Sequence, residues 1–295
     1  MSRRNSMKLY YRISDQSYEK QKLLGASKEV CLMNFCKAFV EVIFGAKGKP
    51  GDEDFESPVK FICDNCDRKT VKMVAETGLP YVVTKEGNAG SLLKTLNMAL
   101  DECDDEELVY FCEDDYLHLG TAPQLLEEGI KRSDYVTLYD HPDKYTRYYN
   151  GGEISKVIKT NLSHWRYTAS TCMTFGTKIK TLREDMEIWE KFTSETHPHD
   201  HKIFTELSEE KRRRLIVCIP GAACHIDLTL SGNIKSMLIE PWAIELMINE
   251  LINQISDHED ASEFAFAAMR DKLLADKQGW DKLIALDALR VSLVS

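Results

Sequence analysis

Short apolar runs alternate with stretches whose apolar residues recur every three or four positions, and the alternation repeats through the first 120 residues. Lys8 to Ile13 is a β-prone run that stops at the turn formers Ser14-Asp15-Gln16-Ser17. From Ser27 to Phe44 the positions Leu32, Phe35, Phe39 and Ile43 share one helical face, with Ser27 placed to cap the start. Gly45 to Pro58 reads as a loop. A second strand, Val59 to Cys63, runs into Asp64-Asn65, and a helix over 69–77 ends at Gly78 and Pro80. Tyr81 to Thr84 is the third strand. It leads through a Gly87-Asn88-Ala89-Gly90-Ser91 turn into helical spacing at Leu93, Leu96 and Leu100. The fourth, Leu108 to Cys112, stops abruptly at Glu113-Asp114-Asp115.

Strand–helix alternation of this kind predicts an α/β layer around a largely parallel sheet, whose ligands gather at the C-terminal ends of the strands. The polar tips Ser14-Asp15, Asp64-Asn65, Gly87 to Ser91 and Glu113 to Asp115 all fall there. Between 135 and 176 the runs Tyr135-Val-Thr-Leu, Ser155-Lys-Val-Ile and Ser170 to Phe175 predict an antiparallel extension. Beyond Gly232 the spacing turns helical over 242–255, 259–274 and 280–291, with Ile244, Ile248, Leu251 and Ile255 on one face. The expected organisation is a domain over 1–231 and a helical appendage over 232–295.

The chain has 295 residues, 38 Lys plus Arg against 48 Asp plus Glu, and a net charge of −10. That balance argues against a surface built for nucleic acid or anionic lipid. No run approaches the ~18 apolar residues of a membrane span, and the start lacks a signal-peptide pattern, so a soluble cytoplasmic protein is expected. Nine cysteines, most of them inside apolar runs, fit a reducing compartment. Cys63-Asp-Asn-Cys66 has the spacing of half a zinc or redox site, but no second pair accompanies it, and it reads as structural.

Adjacent carboxylates directly after a buried strand, as in Val109 to Tyr116, repel one another unless a cation or solvent compensates. A hard divalent metal with its phosphate ligand would do so; the acidic first turn of a helix is the other reading. His197-Pro-His-Asp-His201 packs three histidines around Asp200 ahead of a helical stretch, where Asp200 also reads as an N-cap. Pro198 makes a zinc site from His197 and His201 an unfavourable reading. Lys211 to Arg214 reads as a solvated helix end. Tyr145 to Tyr149 and Trp165-Arg166-Tyr167 offer rings for stacking on a sugar or for packing.

The acidic triplet after a fourth strand, taken with the convergent tips, resembles the GT-A fold glycosyltransferases, in particular the inverting family 2 type and related viral or bacterial sugar transferases. The resemblance spans roughly residues 8 to 228. It implies a Rossmann-like sheet with helices on both faces and a nucleoside-diphosphate sugar held through Mn²⁺ or Mg²⁺. It makes Asp115 a metal ligand and gives Glu113 or Asp114 the ribose or donor sugar. Arg12, Ser14, Asp15, Asp64 and Asn65 fall where the family places nucleotide contacts, and Gly87, Asn88 and Ser91 match its small-residue turn. Asp200 takes the place of the general base, and His225 that of the late histidine that completes the metal's coordination.

The implied activity is an inverting hexosyl transfer in glycan synthesis, from a nucleotide sugar, UDP-sugar favoured, to a hydroxyl acceptor. A sugar-phosphate nucleotidyltransferase is the alternative enzyme, disfavoured because Arg12 to Ser17 contains no glycine. A non-catalytic nucleotide-binding or assembly protein, with homo-oligomerisation through the C-terminal helices, is the third reading.

Overall fold

The computed structural model describes residues 7–16, 22–23, 26–45, 56–145, 153–227, 229–230, 234–235, 242–243 and 246. The chain divides into two compact units, Met1–Tyr18 with Lys28–Cys224, and Glu19–Ser27 with His225–Ser295. Apart from Trp242, Ala243 and Leu246, the C-terminal helices expected from the sequence lie outside the described residues.

The first unit begins with β1 (Met7–Ser14), α1 (Lys28–Ala38), α2 (Val40–Phe44), β2 (Val59–Asp64), α3 (Arg68–Ala75) and β3 (Tyr81–Thr84). It continues through α4 (Gly87–Glu102), β4 (Leu108–Glu113), β5 (Tyr116–His118), α5 (Ala122–Gly129), β6 (Tyr135–Thr137), β7 (Val157–Lys159) and β8 (His164–Tyr167). After these come β9 (Phe175–Lys178), α6 (Ile179–Lys191), α7 (Asp200–Lys211) and β10 (Leu215–Ile219); β11 (Ala223–His225) crosses the boundary between the units. One sheet takes the order β3-β2-β1-β4-β9-β6-β10-β8-β7. Pairing is parallel from β3 through β4, whereas β9 and β8 run against their neighbours.

The central strands read as unbroken apolar runs because both of their faces are covered. Leu9, Tyr11 and Ile13 of β1 pack with Phe35 of α1, Val74 of α3 and Leu126 of α5. Tyr10, from the opposite face, joins Leu92 and Leu96 of α4, Trp189 of α6 and Phe204 of α7. β4 divides the same way, Tyr110 and Cys112 to one core and Val109 and Phe111 to the other. The second core is built on rings: Phe175 and Trp189 stack at 4.7 Å and Phe204 meets Trp189 edge-on at 5.6 Å. The α/β class with helices on both faces, expected from the pattern, is what these layers form.

Local differences from the expectation have visible causes. The helix expected over 27–44 is two helices, broken at Phe39, whose ring stacks on Tyr110 at 5.5 Å. Gly87 to Ser91 is the first turn of α4 rather than a separate turn. Of the run Ser170 to Phe175 only Phe175 enters a strand, because Cys172 and Met173 take left-handed φ of 49° and 60°. Trp165-Arg166-Tyr167 lies in β8, and Trp165 is fully buried, so that ring is core. Arg166 is buried as well, paired with Asp140 at 2.7 Å and with Glu153 at 2.5 Å.

Lys211 to Arg214 is a helix end with Arg212 and Arg214 exposed, as expected, but Arg213 departs from that reading. Arg212 takes φ 55° at the close of α7, and Arg213 turns inward to bind Asp185, a fully buried carboxylate, at 2.9 Å. Tyr135 Oη also donates to Asp185, at 2.9 Å. In the second unit, Leu23 N donates to Ile226 O at 2.8 Å, and β12 (Thr229–Leu230) pairs antiparallel with β13 (Ile234–Lys235). Among the described residues no helix is long and apolar enough to cross a membrane.

Arg213→Met strips the buried Asp185 of its hydrogen-bonded cation, leaving Lys211 Nζ at 3.6 Å and the Tyr135 hydroxyl at 2.9 Å. The variant is therefore expected to lower the unfolding free energy by about 2 kcal/mol, read by urea denaturation. A second expectation concerns His118, buried against Phe35 and Phe39 with Nε2 2.8 Å from Tyr110 Oη. Burial pulls its pKa from 6.5 down to about 3, so the folded protein keeps it neutral where the unfolded chain takes up a proton. Its contribution is complete above pH 6.5 and declines as pH falls toward 3, by about 1.4 kcal/mol per unit. The stability gap between wild type and His118→Gln should shrink accordingly in acid.

Candidate functional site

The chain winds from β1 outward through β2 to β3, then returns to place β4 on the other side of β1. That reversal falls between β1 and β4, and it is outside the C-terminal ends of strands at such a reversal that open α/β sheets receive ligands. Parallel register lines the polar tips up: Ser14 lies opposite Asp64, Asp64 opposite Thr84, and Arg12 opposite Glu113.

Arg12, 8% exposed, ties three elements together at this reversal. Its guanidinium binds Glu113 at the end of β4, donates to Asn88 O at 2.9 Å, and reaches Ser91 Oγ at 3.1 Å. Asn88 Oδ1 lies 3.4 Å from the same guanidinium. Asp64, 2% exposed, performs the matching task one strand over. It accepts from Thr84 Oγ1 and Glu86 N at 2.7 Å, and from Gly87 N at 3.0 Å, which satisfies the orphan amides at the start of α4. Gly87 has φ +76°, a conformation that carries no penalty without a Cβ. Asn65 is also left-handed, φ 52°, and its Nδ2 donates to Asp64 Oδ2 at 2.9 Å.

The third junction depends on Lys28, a residue the sequence reading passed over. Its ammonium lies 2.8 Å from Asp114 Oδ2 and 3.4 Å from Asp15 Oδ1. Ser14 N donates to the same Asp114 oxygen at 3.2 Å. Asp15 also accepts from Asp67 N at 2.9 Å and Thr70 Oγ1 at 3.1 Å, joining the β1 tip to the start of α3. Burial works to raise the Asp15 pKa, but those donors and Lys28 outweigh it and hold it low. Asp114 goes the other way: burial, then the neighbouring Asp115 charge, raise it against Lys28 and Ser14. Burial would lower Lys28, yet Asp114 and Asp15 hold it above its ordinary value. Arg12 thus pairs with Glu113, and Lys28 with Asp114 and Asp15, while the charge of Asp115 acts on its neighbour Asp114.

Asp200 is the first residue of α7. Its Oδ2 accepts from Thr171 N at 2.8 Å and Cys172 N at 3.1 Å, and its Oδ1 accepts from Thr171 Oγ1 at 2.7 Å. Burial raises its pKa against these donors. The neighbouring histidines have separate local partners: His197 pairs with Thr196 at 2.9 Å, His199 with Glu195 at 3.2 Å, and His201 with Thr205 at 3.4 Å. In the second unit His225 Nε2 lies 3.9 Å from Asp227 Oδ2.

Of the residues proposed from sequence, Arg12, Asn88, Ser91 and Glu113 form one bonded set, Asp64, Asn65 and Gly87 a second, and Ser14 and Asp15 with Asp114 a third, along the β1, β2 and β4 tips and the start of α4. Thr84 joins the second set and Lys28 links the members of the third, while Thr171 holds Asp200; only register or tertiary contact could have revealed them.

No known family's sequence model matches the chain, and no curated protein matches it in sequence. Solved structures similar in fold include S. aureus TarS residues 1–349, at 17% identity over 91% of this chain and 69% of that one, TM-score 0.40. The galactosyltransferase LgtC, in complex with donor and acceptor sugar analogues, is 8% identical over 82% of this chain and 94% of its own, TM-score 0.43. CMP:2-keto-3-deoxy-manno-octonic acid synthetase complexed with CTP is 11% identical over 84% and 99%, TM-score 0.41.

Lys28→Met should leave Asp114 without its cation and lower stability at neutral pH by about 2 kcal/mol. Protonating Asp114 removes the need for a counter-charge. The deficit should therefore narrow as pH falls through the raised Asp114 pKa, which denaturation at a series of pH values would read.

Proposed function

We propose that this chain is a metal-dependent transferase that moves a hexosyl group from a nucleoside-diphosphate sugar, UDP-sugar favoured, to a hydroxyl acceptor with inversion. The observation that carries the reading is the line of in-register polar tips at the strand-order reversal, carboxylates among them. Tips of that kind suit a nucleotide whose diphosphate arrives with a divalent cation.

Asp115 would offer such an ion a hard carboxylate oxygen, and the resemblance noted above gives His225 the place of a further ligand. Bound there, Mn²⁺ or Mg²⁺ supplies neutralisation of the charge that develops on the departing diphosphate. The chain's own residues do the rest. Arg12 and Asp64 fix the start of α4 and the ends of β2, β3 and β4, so the nucleotide meets a preorganised rim. Ser14, Asp15, Asn65 and Gly87 border the base and ribose, and Glu113 and Asp114 border the sugar. On the acceptor side Asp200, held by Thr171 and Cys172, takes the hydroxyl proton as the new bond forms. Its raised pKa makes it the stronger base.

Thermal shift with UDP, GDP, TDP and CMP, each with and without Mn²⁺, tests the reading. One diphosphate should stabilise the protein only with the metal, by about 2.7 kcal/mol at a hundredfold excess over Kd. Asp115→Asn should abolish that response. No response to any nucleotide would overturn the proposal, and pyrophosphate release from a nucleoside triphosphate plus sugar phosphate would replace it with nucleotidyl transfer.

A further inference from the structure

Tyr145 closes a short 3₁₀ turn, Pro142–Tyr145, in the segment that follows β6, and nothing in the site described above uses it. Because β9 runs antiparallel to both β4 and β6, β6 points the same way as β4, and its C-terminal end opens on the same edge of the sheet as the acidic triplet. Tyr139, just past β6, meets Tyr116, just past that triplet, ring against ring at 5.4 Å. The Tyr145 side chain, on the same segment, is 53% exposed.

What the ring can offer is set by what already touches it. Its hydroxyl donates to Asp140 and accepts from Arg166 Nε at 3.3 Å, so both of its hydrogen-bonding roles are filled. The Arg166 guanidinium also covers one face of the ring, 5.2 Å from its centroid. That guanidinium is buried and held in turn by Asp140 at 2.7 Å and Glu153 at 2.5 Å. With the polar end and one face taken, the outer face is the contact surface that remains. Glu153 further accepts from Ala169 N at 3.2 Å, two residues before Thr171, the partner of Asp200. The ring is therefore fixed, through buried charges, to the segment that holds the proposed base.

We propose that the outer face of Tyr145 stacks on the apolar C–H face of a pyranose ring, which under the transfer proposed above, and resting on that reading, belongs to the hydroxyl acceptor. A pyranose carries its hydroxyls around the rim and presents C–H bonds on its face, so it suits a flat apolar surface set among polar groups. The turn supplies that setting: His141, Asp143 and Lys144 accompany the ring in sequence. An aromatic surface brings large contact area at little entropic cost when its orientation is already fixed, and Asp140 and Arg166 fix this one before any sugar arrives.

The test uses the full chain with its tyrosine ring carbons isotope-labelled, the Tyr145 signal being the one absent from Tyr145→Phe. The methyl β-glycosides of glucose, galactose and N-acetylglucosamine are titrated in, with sorbitol as the open-chain control. At least one glycoside should move the Tyr145 signal to saturation, and sorbitol should not. Binding of that glycoside, read by saturation transfer to its ring C–H protons, should weaken by roughly tenfold in Tyr145→Ala. It should persist in Tyr145→Phe, which keeps the ring over Arg166. A Tyr145 signal that no glycoside moves, an equal response to sorbitol, or unchanged binding in Tyr145→Ala would overturn the proposal. The nucleoside diphosphates with Mn²⁺, read by thermal shift on the same samples, report the donor side separately. A nucleotide response without any glycoside effect overturns the stacking alone; a glycoside effect at Tyr145 without any nucleotide response upholds the stacking and overturns the transfer.

Discussion

The Arg12–Glu113 ion pair is the constraint on which the rest of the first unit's polar rim depends. Glu113 ends β4 and Arg12 lies two residues before the end of β1, and parallel register sets them side by side at the one place where the strand order reverses. A guanidinium that is 8% exposed is tolerated only when its donors are met, and they are met by Glu113, by the Asn88 carbonyl and side chain, and by Ser91. Because Asn88 and Ser91 belong to the first turn of α4, the same pair fixes where that helix begins. Asp64 fixes it from the other strand through Glu86 N and Gly87 N. Two buried charged side chains thus position one helix terminus between two strand ends.

The first four strands and their polar tips were legible because parallel strands buried on both faces announce themselves as apolar runs. A tip must be polar where the chain leaves the core. Tyr81 to Thr84 was read to the residue, and the other three strands to within one residue at each end. What escaped was structure specified by distant partners. β8 is interrupted in sequence by His164 and Arg166, and Arg166 is buried only because Asp140 and Glu153 come to it from elsewhere. Lys28 is one lysine among many until the fold places it between Asp114 and Asp15. The Arg213–Asp185 pair hides in the same way inside a run that composition marks as solvated.

Two consecutive left-handed residues of this unit lie beside Asp200. Cys172 and Met173 are consecutive left-handed residues, a conformation that costs of order 1–3 kcal/mol each for residues with a Cβ. The surroundings that hold them there are dominated by Asp200, whose two oxygens accept from Thr171 and Cys172. The carboxylate is thus the clamp of a loop that would otherwise relax, and its place as the first residue of α7 puts the helix dipole in its favour.

That double duty limits how Asp200 can act as a base. A carboxylate already accepting N–H bonds from Thr171 and Cys172 cannot give those up, since a backbone amide has no acceptor role to fall back on. The Thr171 hydroxyl, 2.7 Å from Oδ1, is different: it rotates, and on protonation of Oδ1 it can turn from donor to acceptor. Proton uptake on Oδ1 therefore leaves the Thr171 and Cys172 amide bonds to Oδ2 at full strength, while uptake on Oδ2 would weaken them. Under the proposed transfer Oδ1, with the rotatable Thr171 hydroxyl beside it, is the oxygen that takes the proton at least cost to those two bonds.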